Sequence, residues 1–220
     1  MKRCLMLVEG QTEERFVKDV LCPVFEPRGV FLFPTILTTK VVKSGPNFKG
    51  GVTNYAKLRA DLSKLLLDTG AVVTTMIDYY GLPEDTPGMR DRPLASARDR
   101  VMDVEAAIYN DVGAPRNFTP FLALHEFEAL LFADHEITAA TIPAREKAAE
   151  LLAVAGGLAP EDINENRETA PSKRLQKVFP SFKKTLHGPT AAKRIGLEAI
   201  RARCPHFDSW ITRLEQFAAS

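Results

Sequence analysis

The feature that most restricts this chain is an alternation of two periodicities. Cys4 to Val8 is a short apolar run that stops at Glu9-Gly10. Phe16, Val17, Val20, Leu21 and Val24 then recur at the spacing of one helix face. Thr12 stands where an N-cap is expected, and Pro27 and Gly29 close the segment. Val30 to Val42 is again β-rich and runs into a Gly/Pro/Asn-rich loop, Ser44 to Gly51. Tyr55 to Leu67 reads as a helix ended by Gly70, and Ala71 to Ile77 is β-branched enough for a buried strand. Beyond the polar loop Leu82 to Pro93, the pattern predicts a helix from about Leu94 to Tyr109 and a strand from Phe118 to Leu124. That strand runs into His125-Glu126-Phe127-Glu128, after which Ala129 to Ala133 looks helical. Strands alternating with helices predict an α/β fold with a mostly parallel sheet flanked by helices.

From residue 136 onward the pattern is helical, with breaks expected near Gly156-Gly157, Pro171, Gly188-Pro189 and Pro205. The expected organisation is an α/β core over 1–135 and a helical C-terminal extension over 136–220, packed on that core as a single domain. A chain of 220 residues suffices for one sizeable core. Three cysteines without a C-x-x-C pair argue against a disulfide framework or a thiolate zinc site and fit a reducing cytoplasm. No stretch approaches the roughly 20 apolar residues of a spanning helix. The basic N-terminal pair is followed by too short an apolar run for a signal sequence, so no membrane association is expected.

The chemistry-bearing residues collect at predicted strand ends. Glu9 follows the first strand, Asp78 the third, and Glu126 and Glu128 the fourth. In open α/β sheets the crevice beyond those ends is where ligands bind. Oxygen donors of this kind suit Mg²⁺ or Mn²⁺, which activates water and stabilises a departing oxygen in phosphodiester hydrolysis. Each residue also has a plainer role. Asp ending a strand is a common turn former, and Glu13 and Glu14 open a helix, where acidic side chains complement the macrodipole. Glu9, between an apolar strand and a glycine, has no such structural need. Glu126 and Glu128 share a face if the strand continues and diverge in a helix. His125 beside them is either an acid/base group or ligand, or a hydrogen-bonded partner that orients a carboxylate.

The net charge of +1 hides a basic stretch. Between Ser172 and Arg203 lie Lys173, Arg174, Lys177, Lys183, Lys184, Lys193, Arg194, Arg201 and Arg203 against the single acid Glu198. Phosphate is the natural counter-charge, although solvated helix faces account for part of the excess. Lys173 and Arg174, at a helix start after Pro171-Ser172, lead as phosphate ligands, with Lys183 and Lys184 next. The loop with Gly45, Gly50 and Gly51 near Lys43 and Lys49 does not meet the P-loop pattern.

Val8-Glu9-Gly10-Gln11-Thr12-Glu13, with Asp78 after a later strand, resembles the TOPRIM domain of topoisomerases, primases and the overcoming-lysogenization-defect nucleases. The wider set V-E-G-Q-T-E, D-Y-Y-G-L-P, H-E-F-E-A-L-L-F, P-S-K-R, I-G-L-E-A-I-R and C-P-H-F-D resembles the bacterial domain-of-unknown-function family 4276 over nearly the whole chain. The TOPRIM resemblance implies a Mg²⁺-dependent phosphoryl-transfer site with Glu after the first strand and Asp-x-Asp after a later one. Glu9 and Asp78 match, whereas Tyr80 stands where the second aspartate belongs. Glu126 or Glu128 is the hypothetical replacement, with Glu13 and Tyr80 as subsidiary site residues. The resemblance further implies a separate ATPase partner in a defence or mobile-element setting. The two functions to be separated are therefore a metal-dependent nuclease, DNA being favoured over RNA, and a non-catalytic binding or regulatory subunit on the same scaffold.

Overall fold

β1 (Lys2–Val8) is apolar at successive positions because it has a strand on each side and a layer on each face. It pairs in parallel with β2 (Val30–Ile36) and with β3 (Ala71–Asp78). β3 in turn pairs in parallel with β4 (Phe118–Thr119) and β5 (Leu122–Ala123). The order is β2-β1-β3-β4, with β5 also on β3. All of these strands point the same way, so their carboxyl ends lie along one edge. This architecture is that of a computed structural model, which describes residues 1–37, 52, 54–90, 96–163 and 168–219. The expected strand residues 38–42 and the Gly-rich loop with Lys43, Gly45, Lys49, Gly50 and Gly51 lie outside the described residues.

Side-chain alternation divides the core into two layers. Leu7, Val73 and Ile77 face α3 (Tyr55–Leu66) and α4 (Ala97–Asp111), meeting Leu58, Leu62, Val101 and Val104. Cys4, Met6, Val8 and Met76 face the other way, toward α1 (Gln11–Phe16), the π-helical turn Val17–Leu21, α2 (Cys22–Phe25) and the C-terminal helices. Those helices are α5 (His135–Thr141), α6 (Ala148–Ala155), α7 (Pro171–Val178), α8 (Lys184–Ile195), α9 (Leu197–Arg203) and α10 (Pro205–Ala219). Leu151, Leu175, Ala191, Ile200 and Phe207 belong to the same apolar cluster as β1.

Trp210 of α10 is the largest side chain of this layer. It stacks on Phe121 with centroids 4.2 Å apart and planes 8° apart, and its Nε1–H donates to Thr74 Oγ1 at 2.9 Å. Trp210→Phe is expected to cost about 1–3 kcal/mol, from the lost hydrogen bond and the smaller ring. Thermal unfolding followed by far-UV circular dichroism checks this, and an unchanged midpoint would contradict the packing role.

Three local expectations need correction. The first helix is capped by Gly10 rather than Thr12. Glu13 reaches back to accept the Gly10 N–H at 2.8 Å, and Thr12 is buried inside the helix. The expected strand Phe118–Leu124 is split into β4 and β5, because Pro120 between them has no N–H for a ladder. Gly188-Pro189 does not break the C-terminal helices but lies within α8. Proline at 189 leaves the Thr185 carbonyl without its helical donor, and Arg15 Nη1–H supplies one at 2.8 Å. Pro171 and Pro205 stand at helix starts, where a missing N–H costs nothing. All three cysteines are free thiols. Among the described residues no helix is long and apolar enough to cross a membrane.

Candidate metal centre at the carboxyl edge of the sheet

The parallel ladder carries Glu9 one step past β1: its N–H donates to Met76 O at 3.1 Å. Its side chain then crosses to the next strand, where Glu9 Oε2 accepts the Asp78 N–H at 2.9 Å. Asp78, the last residue of β3, repeats the move, its Oδ1 accepting the Phe127 N–H at 2.8 Å. Glu126 extends the series to the C-terminal half, its Oε2 accepting the Ser172 N–H at 2.9 Å in the first turn of α7. Each carboxylate thus fastens the segment beside it.

The question of Glu126 and Glu128 resolves in neither expected way. β5 ends at Ala123, His125 turns the chain with φ 66°, Glu126 is extended, and Glu128 lies in the first turn of a 3-10 helix, Phe127–Ala133. Both glutamates nevertheless meet Lys184. Its Nζ is 3.1 Å from Glu128 Oε2 and 3.9 Å from Glu126 Oε1. Lys184 reaches them because α8 packs closely on Phe127. A Cβ at Gly188, one turn along the same helix face, would lie 3.2 Å from Phe127 Cε1.

The structure therefore brings together Glu9, Glu13, Asp78, Glu126, Glu128 and Lys184. Burial raises the pKa of Asp78 well above the carboxylate range, and the negative charges of Glu9, Glu13 and Glu128 raise it further. Burial likewise pushes Glu13 up to about 7, reinforced by Glu9 and opposed by the backbone N–H donors that include Gly10. Glu9 and Glu128 are also held above their ordinary value by burial and neighbouring carboxylates, against the opposing charge of Lys184. Burial alone would lower the Lys184 pKa, but Glu128, Glu126 and Asp78 outweigh it and keep the ammonium charged. Four carboxylates, Glu9, Asp78, Glu126 and Glu128, share one lysine.

The donor set suits a hard divalent cation. It is all oxygen, it carries an excess of negative charge in a dry setting, and Glu9 and Asp78 sit on adjacent strand ends. Among the described residues no three His, Cys, Asp or Glu side chains converge on one point. That is compatible with Mg²⁺, which usually takes one or two protein carboxylates and completes its shell with water and phosphate.

The remaining sequence candidates lie around this centre. The His125 ring is buried and bonds the Glu161 carbonyl through Nε2 at 3.0 Å. Tyr80 N–H donates to His125 O at 3.0 Å, tying the turn after Asp78 to the turn before Glu126. Lys173 and Lys183 are exposed at the starts of α7 and α8. Arg174 spends its guanidinium on the carbonyls of Thr169 and Val154. Residues that sequence reasoning missed form a second buried polar group. Glu161 caps α10 by accepting the N–H groups of His206 at 2.8 Å and Phe207 at 2.9 Å, and His206 Nε2 meets Glu105 Oε1 at 3.0 Å. Of these, His206 lies in the C-P-H-F-D motif, whereas Glu105 and Glu161 carry no motif signal.

An α/β chain with a parallel sheet and a carboxylate cluster at its carboxyl edge is the class that fold and site define. Within it, this chain belongs to the family described as a domain of unknown function (DUF4276), whose model matches residues 8–215. Two solved structures are similar to it. One is the C-terminal region of the Burkholderia pseudomallei OLD protein, at 18% identity over 90% of this chain and 97% of that one, with a TM-score of 0.32. The other is the C-terminal region of the Xanthomonas campestris pv. campestris OLD protein, at 17% identity over 98% of each chain, with a TM-score of 0.35. No curated protein matches the chain.

Proposed function

We propose that the chain is a Mg²⁺- or Mn²⁺-dependent phosphodiester hydrolase acting on nucleic acid, DNA in preference to RNA. The observation that carries this reading is the meeting of Glu9, Asp78, Glu126 and Glu128 with Lys184 at the carboxyl edge of the sheet. Glu9 and Asp78 are the first metal ligands, each with one oxygen already held by a backbone N–H. Glu126 or Glu128 supplies the donor that Tyr80 does not. A divalent ion held there contributes activation of water and charge for the departing oxygen. Lys184 keeps a full positive charge beside the carboxylates, where it can also meet a phosphate oxygen. Exposed Lys183, beside Lys184, and Lys173, beside Ser172, serve flanking phosphates. A separate ATPase partner and a role in defence or mobile elements are part of this proposal.

Tyr80 in place of an acid favours a second reading, a binding or regulatory subunit that does not cut. The test is cleavage of plasmid and single-stranded DNA with Mn²⁺, beside a chelator control and Glu9→Ala. Cutting lost in both controls supports the hydrolase. Binding of nucleic acid that survives chelation, without cutting by folded wild type, supports the second reading.

The raised carboxylate pKa values give this site a pH signature. A carboxyl with a folded pKa above its unfolded one binds more protons in the folded state, so its contribution to stability falls as pH rises between the two values. For Glu13 that window runs from 4.5 to about 7. Without divalent metal, this contribution should decline from pH 5 to pH 8. The stabilisation by Mn²⁺ at about 100 times its dissociation constant should instead grow across that range, toward ~2–3 kcal/mol. Scanning fluorimetry at four pH values measures both slopes. A metal-induced gain independent of pH would contradict deprotonation on binding.

A further inference from the structure

We infer that His125 and Glu161 form a strut through which the N-terminus of α10 sets the position of Glu126 and Glu128. The inference rests on the metal-site reading and assigns two positioning residues to it.

His125 is one of two non-glycine residues with positive φ among the described residues, and its side chain is 2% exposed. A histidine held at φ 66° needs its surroundings to hold it there. Two bonds do so. The ring Nε2 meets Glu161 O at 3.0 Å, and the His125 carbonyl accepts the Tyr80 N–H at 3.0 Å. The next residue is Glu126, and the amide after that, on Phe127, is the one Asp78 holds. The turn that points two glutamates at Lys184 is therefore pinned at its first residue from both sides.

Glu161 is itself fixed from α10. Its two carboxylate oxygens accept the His206 and Phe207 N–H groups, so its whole acceptor face is spent on the start of a 15-residue helix. That helix is in turn anchored on the sheet by Trp210. A displacement of the α10 start has a direct bonded route, through Glu161 and His125, to the carboxylates of Glu126 and Glu128. Neither His125 nor Glu161 needs to touch metal or substrate in this role.

The test uses the full chain in three variants. Glu161→Gln sets a side-chain NH₂ against one of two helix N–H donors. His125→Gly relieves the backbone but deletes the strut. His125→Gln places its amide Nε2 donor at the same reach from Cα as the imidazole Nε2 that meets the Glu161 carbonyl, but has no imidazole. Glu161→Gln and His125→Gly should weaken Mn²⁺ binding roughly 10- to 100-fold by calorimetry, and should speed hydrogen exchange at the amides of residues 126–128. His125→Gln should stay within about threefold of wild type in Mn²⁺ affinity, as an order-of-magnitude expectation for a retained outer-shell partner, with an unchanged pH profile for cleavage. Unaltered exchange at 126–128 in folded Glu161→Gln or His125→Gly would overturn the inference. So would a His125→Gln protein as impaired as His125→Gly, because the imidazole itself would then be the working group. If wild type binds no Mn²⁺, the metal-site reading falls, and the exchange measurement alone still decides whether the strut exists.

Discussion

Asp78→Asn is expected to melt higher than wild type in the absence of divalent metal and to have lost cleavage. The substitution keeps Oδ1 as an acceptor for the Phe127 N–H, so the bond between β3 and the turn after β5 survives. What it removes is one negative charge buried among those of Glu9, Glu13 and Glu128. The gain should be about 1–2 kcal/mol at pH 8, or roughly 2–8 °C in melting temperature for a chain of this size. It should shrink as pH falls, because the raised pKa lets wild-type Asp78 take up a proton and lose its charge. Cleavage with Mn²⁺ should fall at least about 100- to 1,000-fold, since a lost ligand removes several kcal/mol of charge stabilisation. A stability optimum sacrificed to chemistry is the usual mark of an active site. An Asp78→Asn protein that is less stable, or that still cuts, would reduce Asp78 to a turn former.

Lys184→Met should behave in the opposite sense. The lysine is the cation that Glu128 and Glu126 meet, at 3.1 and 3.9 Å, and its removal leaves Glu128 buried with uncompensated neighbours. Breaking a fully buried pair costs about 3–5 kcal/mol. The Lys184 side chain is 42% exposed, so water screens part of the loss and about 1–3 kcal/mol is the expectation. Melting should drop by roughly 2–12 °C, and Mn²⁺ should restore more stability to this variant than it adds to wild type. Calorimetric melts with and without Mn²⁺ measure the difference. A variant as stable as wild type and indifferent to Mn²⁺ would mean that the carboxylates are neutral and the pair is ornamental.

The parts of this arrangement that were legible in sequence are the local ones. A run such as Cys4 to Val8 announces a strand by composition alone, and a carboxylate directly after it, as with Glu9, lands at the strand end whatever the rest of the chain does. Asp78 follows by the same reasoning. The parallel sheet and its flanking helices were foreshadowed by the alternation, and the family by motifs spread along the chain. Lys184 was visible only as one cation among many, a candidate for phosphate. Its place beside Glu128 depends on how closely α8 packs, and that depends on Gly188 against Phe127, a contact between residues 61 apart in the chain. Gly188-Pro189 pointed the wrong way because proline was weighed as a breaker without the arginine that satisfies the carbonyl it orphans. Thr12 was the favoured cap type, but the reciprocal bond between Gly10 and Glu13 fills that role. His125 carries no local signal for positive φ, since its conformation is imposed by Glu161 and Tyr80.

The acidic side chains of the cluster act as fasteners as well as prospective ligands. Glu9 holds Asp78, Asp78 holds Phe127, and Glu126 holds Ser172. A lineage that abandoned the chemistry would therefore not be at liberty to discard these residues, because each loss would also unlace a seam between strands or between halves of the molecule. Glutamine and asparagine, which keep the acceptor and lose the charge, are the replacements such a lineage could accept. Retention of acids at these three places in a descendant would then report continued use of the site, whereas amides would report a relic.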